Sequence, residues 1–300
     1  MLALYGCDSA ASSATSVVQS ALTKESTSGA AFTVATTLPY ASDFDEAAAT
    51  GDNGALIDVS HAAQGYVAAA ATSESRLKIQ VSLGEASYNL DMPADGTPAA
   101  VPLTLGNGSY LVRVMQNTTG SSYVELARAT VDAQLESEFA PYLRPNIICN
   151  YTESSACVTK ARELVANAQT QGDALAAICD WICDNITYDD EKAAQLKDSS
   201  GYIPDPDQTL AAGSGICFDY ASLGAAMLRS QGIPAQIVTG DVSPDNISHA
   251  WLMVYIDGTW TSAAFDVQQN TWSRVDLTFA ASGGGVNVGD GKTYTTRHLY

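Results

Sequence analysis

The sequence predicts an α+β protein in two parts, an antiparallel β-sandwich-like domain at 53–140 and a mixed helix-and-sheet domain at 146–282. Three observations carry that expectation. The run Arg76-Leu77-Lys78-Ile79-Gln80-Val81-Ser82-Leu83 alternates polar and apolar without a fault, as a half-buried strand does. Residues 156–170 and 173–187 carry apolar side chains at helical spacing. At 300 residues the chain can hold two cores.

Taken in order, residues 8–35 are rich in Ala, Ser, Thr and Gly with no sustained period, which predicts an exposed linker. After the strand at 76–83, Gly84-Glu85 turns the chain, and Tyr88, Leu90 and Met92 continue the alternation. Residues 109–116 and 122–132 form a second hairpin around Thr119-Gly120. Such strands with short Gly-bearing turns suggest the sandwich, and Ala140-Pro141-Tyr142-Leu143-Arg144-Pro145 is its hinge into the next domain. Two helices then lead to a Gly/Pro-broken loop at 199–207. Beyond it lies a helix with Phe218, Leu223, Met227 and Leu228, stopped by Gln231-Gly232-Ile233-Pro234. Strands are expected at 235–240, 248–256, 260–267 and 271–279, and the Gly283-Gly284-Gly285 run starts a flexible tail, 283–300.

Charged residues make up only 16% of the chain, and 14 basic against 33 acidic residues leave a net charge of −19. That balance argues against nucleic acid and against a bare anionic membrane as partner. It suits a secreted or surface protein kept soluble by charge; a preference for basic, lysine-bearing substrates is the other reading. No run of about 18–20 apolar residues is present, so no transmembrane helix is expected.

The chemistry concentrates at Cys217, in Gly213-Ser214-Gly215-Ile216-Cys217-Phe218-Asp219-Tyr220. A cysteine in the first turn of a helix sits at the positive end of the macrodipole, which favours the thiolate. A nucleophile needs a base and the base an orienter. Of the three histidines, His249 starts the strand-like run His249-Ala250-Trp251-Leu252-Met253-Val254, and Asp276 follows in Trp272-Ser273-Arg274-Val275-Asp276.

Gly-x-Cys-x-Asp-Tyr-Ala at 215–221, His-Ala-Trp at 249–251 and Trp-x-x-x-Asp at 272–276 resemble the transglutaminase-like superfamily over roughly 146–282. The resemblance implies a papain-like, transglutaminase-like catalytic core, with Cys217 as nucleophile, His249 as base and acid, and Asp276 orienting the imidazole. It implies the Cys217 N–H as one oxyanion donor, and no cofactor or metal for the chemistry. Family members often place the acid four residues after the tryptophan that follows the His-Ala-Trp strand; Trp260 plus four is Ala264, so Asp266 stays open as the alternative to Asp276. The implied reaction is acyl transfer through a cysteine thioester on a peptide or protein substrate, with hydrolysis expected and Gln-Lys crosslinking the alternative. A non-catalytic surface binding protein is the rival from another class.

Other residues have plainer expectations. His61 and His298 carry no partner pattern and are read as structural; Trp251, Trp260 and Trp272 are read as core. Asp219 and Tyr220 could be a surface pair at the helix start, and Tyr202 and Asp205 could either touch substrate or sit in a solvated loop. Cys179 and Cys183 share a helix face, so pairing with Cys149 and Cys157, or burial, is expected; their spacing is not a usual zinc pattern. Finally, Leu4-Tyr5-Gly6-Cys7 resembles the lipobox of bacterial lipoproteins. A signal peptide needs an apolar run of about 7–15 residues, more than the stretch before Cys7 can hold. The expectation is a sequence starting inside a longer signal, with Cys7 lipidated and the protein tethered at the cell surface; a chance match is the alternative.

Overall fold

A computed structural model describes residues 25–35, 37–197, 199–282 and 294–300. The Cys7 site and the Gly283-Gly284-Gly285 run lie outside them. The path begins at strand β1 (Ser26–Thr27) and continues through β2 (Thr50–Asp52), β3 (Ala55–Asp58), β4 (Tyr66–Ala71), β5 (Leu77–Leu83), β6 (Ala86–Met92), β7 (Ala99–Pro102), β8 (Gly108–Thr119) and β9 (Ser122–Ala133). Strands β2 to β9 form two four-stranded antiparallel sheets, in the orders β2-β3-β4-β7 and β6-β5-β8-β9. The faultless alternation of β5 is used as expected: Leu77, Ile79 and Val81 are fully buried and the residues between them are not. Between β2 and β3, Asn53 and Gly54 both take positive φ, the backbone that a two-residue hairpin turn demands.

The second half runs through α1 (Ala156–Val165), α2 (Gln171–Asn185), β10 (Thr187–Tyr188), α3 (Asp190–Leu196), α4 (Pro206–Ala212), β11 (Ser214–Gly215) and α5 (Cys217–Arg229). Then come β12 (Ala235–Val242), β13 (Ile247–Val254), β14 (Trp260–Thr261), β15 (Asp266–Val267), β16 (Ser273–Val275), α6 (Leu277–Ala281) and β17 (Tyr294–Leu299). Its main sheet is antiparallel in the order β16-β13-β12-β17. Helix α5 lies directly on this sheet and on α6: a Cβ at Gly224 would sit 2.8 Å from the Leu252 and Leu277 side chains, which would have to shift to admit it. The buried side chains of both halves join in one hydrophobic cluster. The whole is a mixed α/β structure with several antiparallel sheets.

Three expectations need correction. Part of the expected linker is structured: β1 pairs with β14, and Ser28, Ala30 and Phe32 donate backbone hydrogen bonds to Thr259, Asp257 and Gln169. The end of the expected tail is also ordered, because 294–299 pairs with β12 as an edge strand. It is fastened by Arg229, fully buried, whose guanidinium donates to the carbonyls of Ala235, Arg144 and Tyr300 at 2.9–3.0 Å. Lastly, 260–267 and 271–279 are not two long strands. The first is a tight β14–β15 pair in a sheet with β1, and the second is three residues of strand followed by α6. Asp276 ends the strand by capping that helix, its Oδ1 accepting the Phe279 N–H at 3.1 Å.

Candidate active site

Cys217 is held by the way its helix begins. Gly213 closes α4 in the left-handed conformation, and β11 then pairs in parallel with β10, Tyr188 opposite Gly215. A Cβ at Gly215 would lie 2.7 Å from that of Asp219, so the glycine two residues before the thiol lets this carboxylate fold back over the turn. Asp219 Oδ2 accepts the Ile216 N–H at 2.9 Å and Lys192 Nζ at 2.7 Å, and Oδ1 accepts the Tyr202 hydroxyl. Asp219 and Tyr220 are therefore not a surface pair. Both are buried, and Tyr220 donates to the Ile186 carbonyl at 2.5 Å. The nucleophile candidate itself is half-buried at the start of α5, where first-turn N–H groups have no partner within the helix.

His249 projects from β13 and Asp276 from the end of β16. The structure brings both to Cys217, from three separate elements. His249 Nε2 lies 2.8 Å from Asp276 Oδ2, with 6% and 2% of the two residues exposed. Cys217 is the other neighbour that acts on the ring's charge, and with Nε2 on Asp276 the nitrogen left for the thiol is Nδ1. Phe279 stacks on the imidazole with centroids 4.5 Å apart and fixes its plane. Burial alone would push the imidazolium's pKa down; the hydrogen bonds and charges of Asp276 and Cys217 outweigh it and raise it to about 9. Of the two acids left open by the sequence, Asp276 is the one at His249. Asp266 is exposed on β15 and bonds Gln268 instead.

The remaining candidates fall elsewhere. Tyr202 is tied to Asp219, and Asp205 caps α4 by accepting the Gln208 N–H at 3.0 Å. His61 stacks on Tyr66 at 4.9 Å, and His298 lies on the edge strand. Trp251 and Trp260 are buried, whereas Trp272 is half-buried among Phe139, Tyr142 and Tyr255. Cys149, Cys157, Cys179 and Cys183 are free thiols, the first three fully buried. Among the described residues no group of three or more His, Cys, Asp or Glu is arranged to hold a metal, and no helix is long and apolar enough to cross a membrane. A cavity of about 400 Å³, lined by residues that include Tyr40, Pro98, Tyr151 and Pro204, does not take in Cys217, His249 or Asp276.

Sequence reasoning missed Lys192, Phe279 and Tyr294, whose hydroxyl donates to Asp276 Oδ2 at 2.8 Å. Phe279 follows the acid in a run that alternates like a strand, which hid the helix turn that sets it over the imidazole. Nothing around Lys192 or Tyr294 announced a role.

A cysteine at a helix start, a histidine on the adjacent sheet and an aspartate holding that histidine form an arrangement that suggests thiol-dependent acyl transfer. Residues 158–277 match the family model described as the transglutaminase-like superfamily, and the chain carries a transglutaminase-like superfamily domain. Among curated proteins, a UPF0252 protein of Archaeoglobus fulgidus is 29% identical over 96 residues, 28% of this chain and 31% of that protein. Human kyphoscoliosis peptidase is 32% identical over 108 residues, 33% of this chain and 16% of that protein. The matched stretches thus span less than a third of these relatives' own length. A solved Cytophaga hutchinsonii structure, provisionally described as a cysteine protease, overlaps 77% of this chain and 81% of its own at 19% identity, with a TM-score of 0.36.

Proposed function

We propose that the protein is a thiol hydrolase that cleaves amide bonds in surface peptides or proteins through a thioester on Cys217. The observation that carries this reading is the His249 imidazole, in reach of the Cys217 thiol and 2.8 Å from a buried carboxylate. The thiolate attacks the amide carbonyl, and the imidazolium gives its proton to the departing amine. Water then attacks the thioester, with His249 as base. The Cys217 N–H would donate to the tetrahedral oxyanion, a contribution of about 3 kcal/mol for one well-placed donor. The word peptidase in the name of the human relative supports hydrolysis over crosslinking by analogy only.

In this reading the two sheets of β2 to β9 form a sandwich-like spacer, and the protein works at the cell surface. The acidity of the chain and the Leu4-Tyr5-Gly6-Cys7 run support that location, with Cys7 as the lipid attachment residue. The test is alkylation of Cys217 by iodoacetamide across pH, read by peptide mass spectrometry, beside a His249→Ala control. Reaction persisting well below pH 7 and weakened in the control is expected. Reactivity that falls away below about pH 8, like a free thiol, overturns the enzyme reading in favour of a binding protein. Incorporation of a labelled amine in preference to hydrolysis would make the protein a crosslinker.

A further inference from the structure

Tyr294 reaches the site from β17, after the stretch 283–293. Its hydroxyl donates to the same Asp276 oxygen, Oδ2, that bonds His249. The ring is held on two sides: the Arg274 guanidinium lies 3.9 Å over its face, and Trp251 meets it edge-on at 4.9 Å. Gly240 makes this closure possible. It stands where the β12–β17 register breaks, and a Cβ there would come within 2.1 Å of the Thr295 carbonyl oxygen and 2.8 Å of the Trp251 ring. An edge strand has thus been fitted over a glycine so that one phenol touches the orienting carboxylate.

We propose that Tyr294 is a positioning residue for the His249–Asp276 pair, its hydroxyl sharing the carboxylate oxygen and so limiting how tightly the imidazolium is held. This rests on the reading of Cys217, His249 and Asp276 as a thiol acyl-transfer site. An acceptor oxygen with two donors gives less to each. Removing the phenol hydroxyl leaves Asp276 in place, because the Phe279 N–H still holds Oδ1. Oδ2 then serves His249 alone, and the imidazolium becomes harder to deprotonate. Among the described residues, the other titratable or charged groups facing this cluster are Cys217 on α5, Arg274 on β16 and Cys183 on α2, and the substitution leaves all three side chains present.

The experiment is a nitrogen NMR titration of the ring signals in the full chain labelled at histidine, where only three histidines contribute. His249 is assigned by its loss in His249→Gln. Tyr294→Phe, which keeps the ring contacts, should raise the His249 midpoint by about half a unit. An unchanged midpoint in Tyr294→Phe overturns the proposal. So does a shift seen only in Tyr294→Leu, which would assign the effect to ring packing. Failure of the underlying reading looks different: wild-type His249 would titrate as an ordinary imidazole near about 6.5, with no thiol reactivity at low pH, and the proposal would fall with it.

Discussion

Lys192 Nζ lies 2.7 Å from Asp219 Oδ2, in the first turn of the helix that begins with Cys217. Asp219 is fully buried and also serves the Ile216 N–H and the Tyr202 hydroxyl, so one carboxylate joins α3, the loop before α4 and the nucleophile's own turn. Lys192 is about one-third exposed, which weakens its share through solvent screening.

Asp219→Ala is expected to destabilise the fold by roughly 2–3 kcal/mol, because three donors lose their acceptor. Urea unfolding measures this. Lys192→Met should cost less, since the two other donors remain; an Asp219→Ala variant as stable as wild type would remove the carboxylate from the account of the helix start.

The two acids left open by the sequence should separate cleanly. Asp276→Asn takes the charge from His249 and is expected to lower turnover about a thousandfold or more, by analogy with other orienting aspartates. Asp266→Asn should stay within about twofold. Equal activity of the Asp276 variant would sink the assignment.

His249 fixes a pH window. Its pKa is raised on folding to about 9, so its stabilisation is complete below the unfolded value near about 6.5 and is lost as pH rises through about 9. Amide cleavage should fall on the same upper limb, since a neutral imidazole cannot protonate the leaving amine. Turnover and Tm measured from pH 6 to 10 should therefore decline together, and His249→Ala should abolish that part of the Tm change.

Asp180 provides an independent check at the docked N-terminal segment. Burial, then the charge and hydrogen bond of Glu25, then Asp184, raise its carboxyl to about 7. A carboxyl raised on folding contributes stability below its unfolded value near 3.8 and loses it as pH rises through about 7. Asp180→Asn should therefore raise Tm above pH 7 and matter less at pH 5. The opposite order would mean that Asp180 is not held protonated by its surroundings.

What the sequence revealed follows from how each residue signals. Alternation in 76–83 and the apolar period of α5 exposed strand and helix because each buries one face. Cys217, His249 and Asp276 were readable because their neighbours, Gly215, Trp251 and Trp272, make recognisable spacings. By contrast, Val275-Asp276-Leu277-Thr278-Phe279 alternates like a strand, which hid the capping role of Asp276. The edge strand Tyr294–Leu299 is largely solvent-facing and has no apolar rhythm, so neither it nor Tyr294 could be placed before the sheet was seen.

The docking of β1 beside Trp260 also bears on the order of assembly. Glu25 accepts the Trp260 indole N–H at 3.0 Å across 235 positions of chain. Closing so long a loop is entropically slow and returns a two-residue strand pair and a few flanking hydrogen bonds, with both antiparallel sheets of the first half lying between its ends. During synthesis the β1 segment therefore waits until Trp260 and Thr261 have emerged before it can seat. It should also be the first part to detach, with amide exchange at Ser28 and Ala30 running ahead of that in β13.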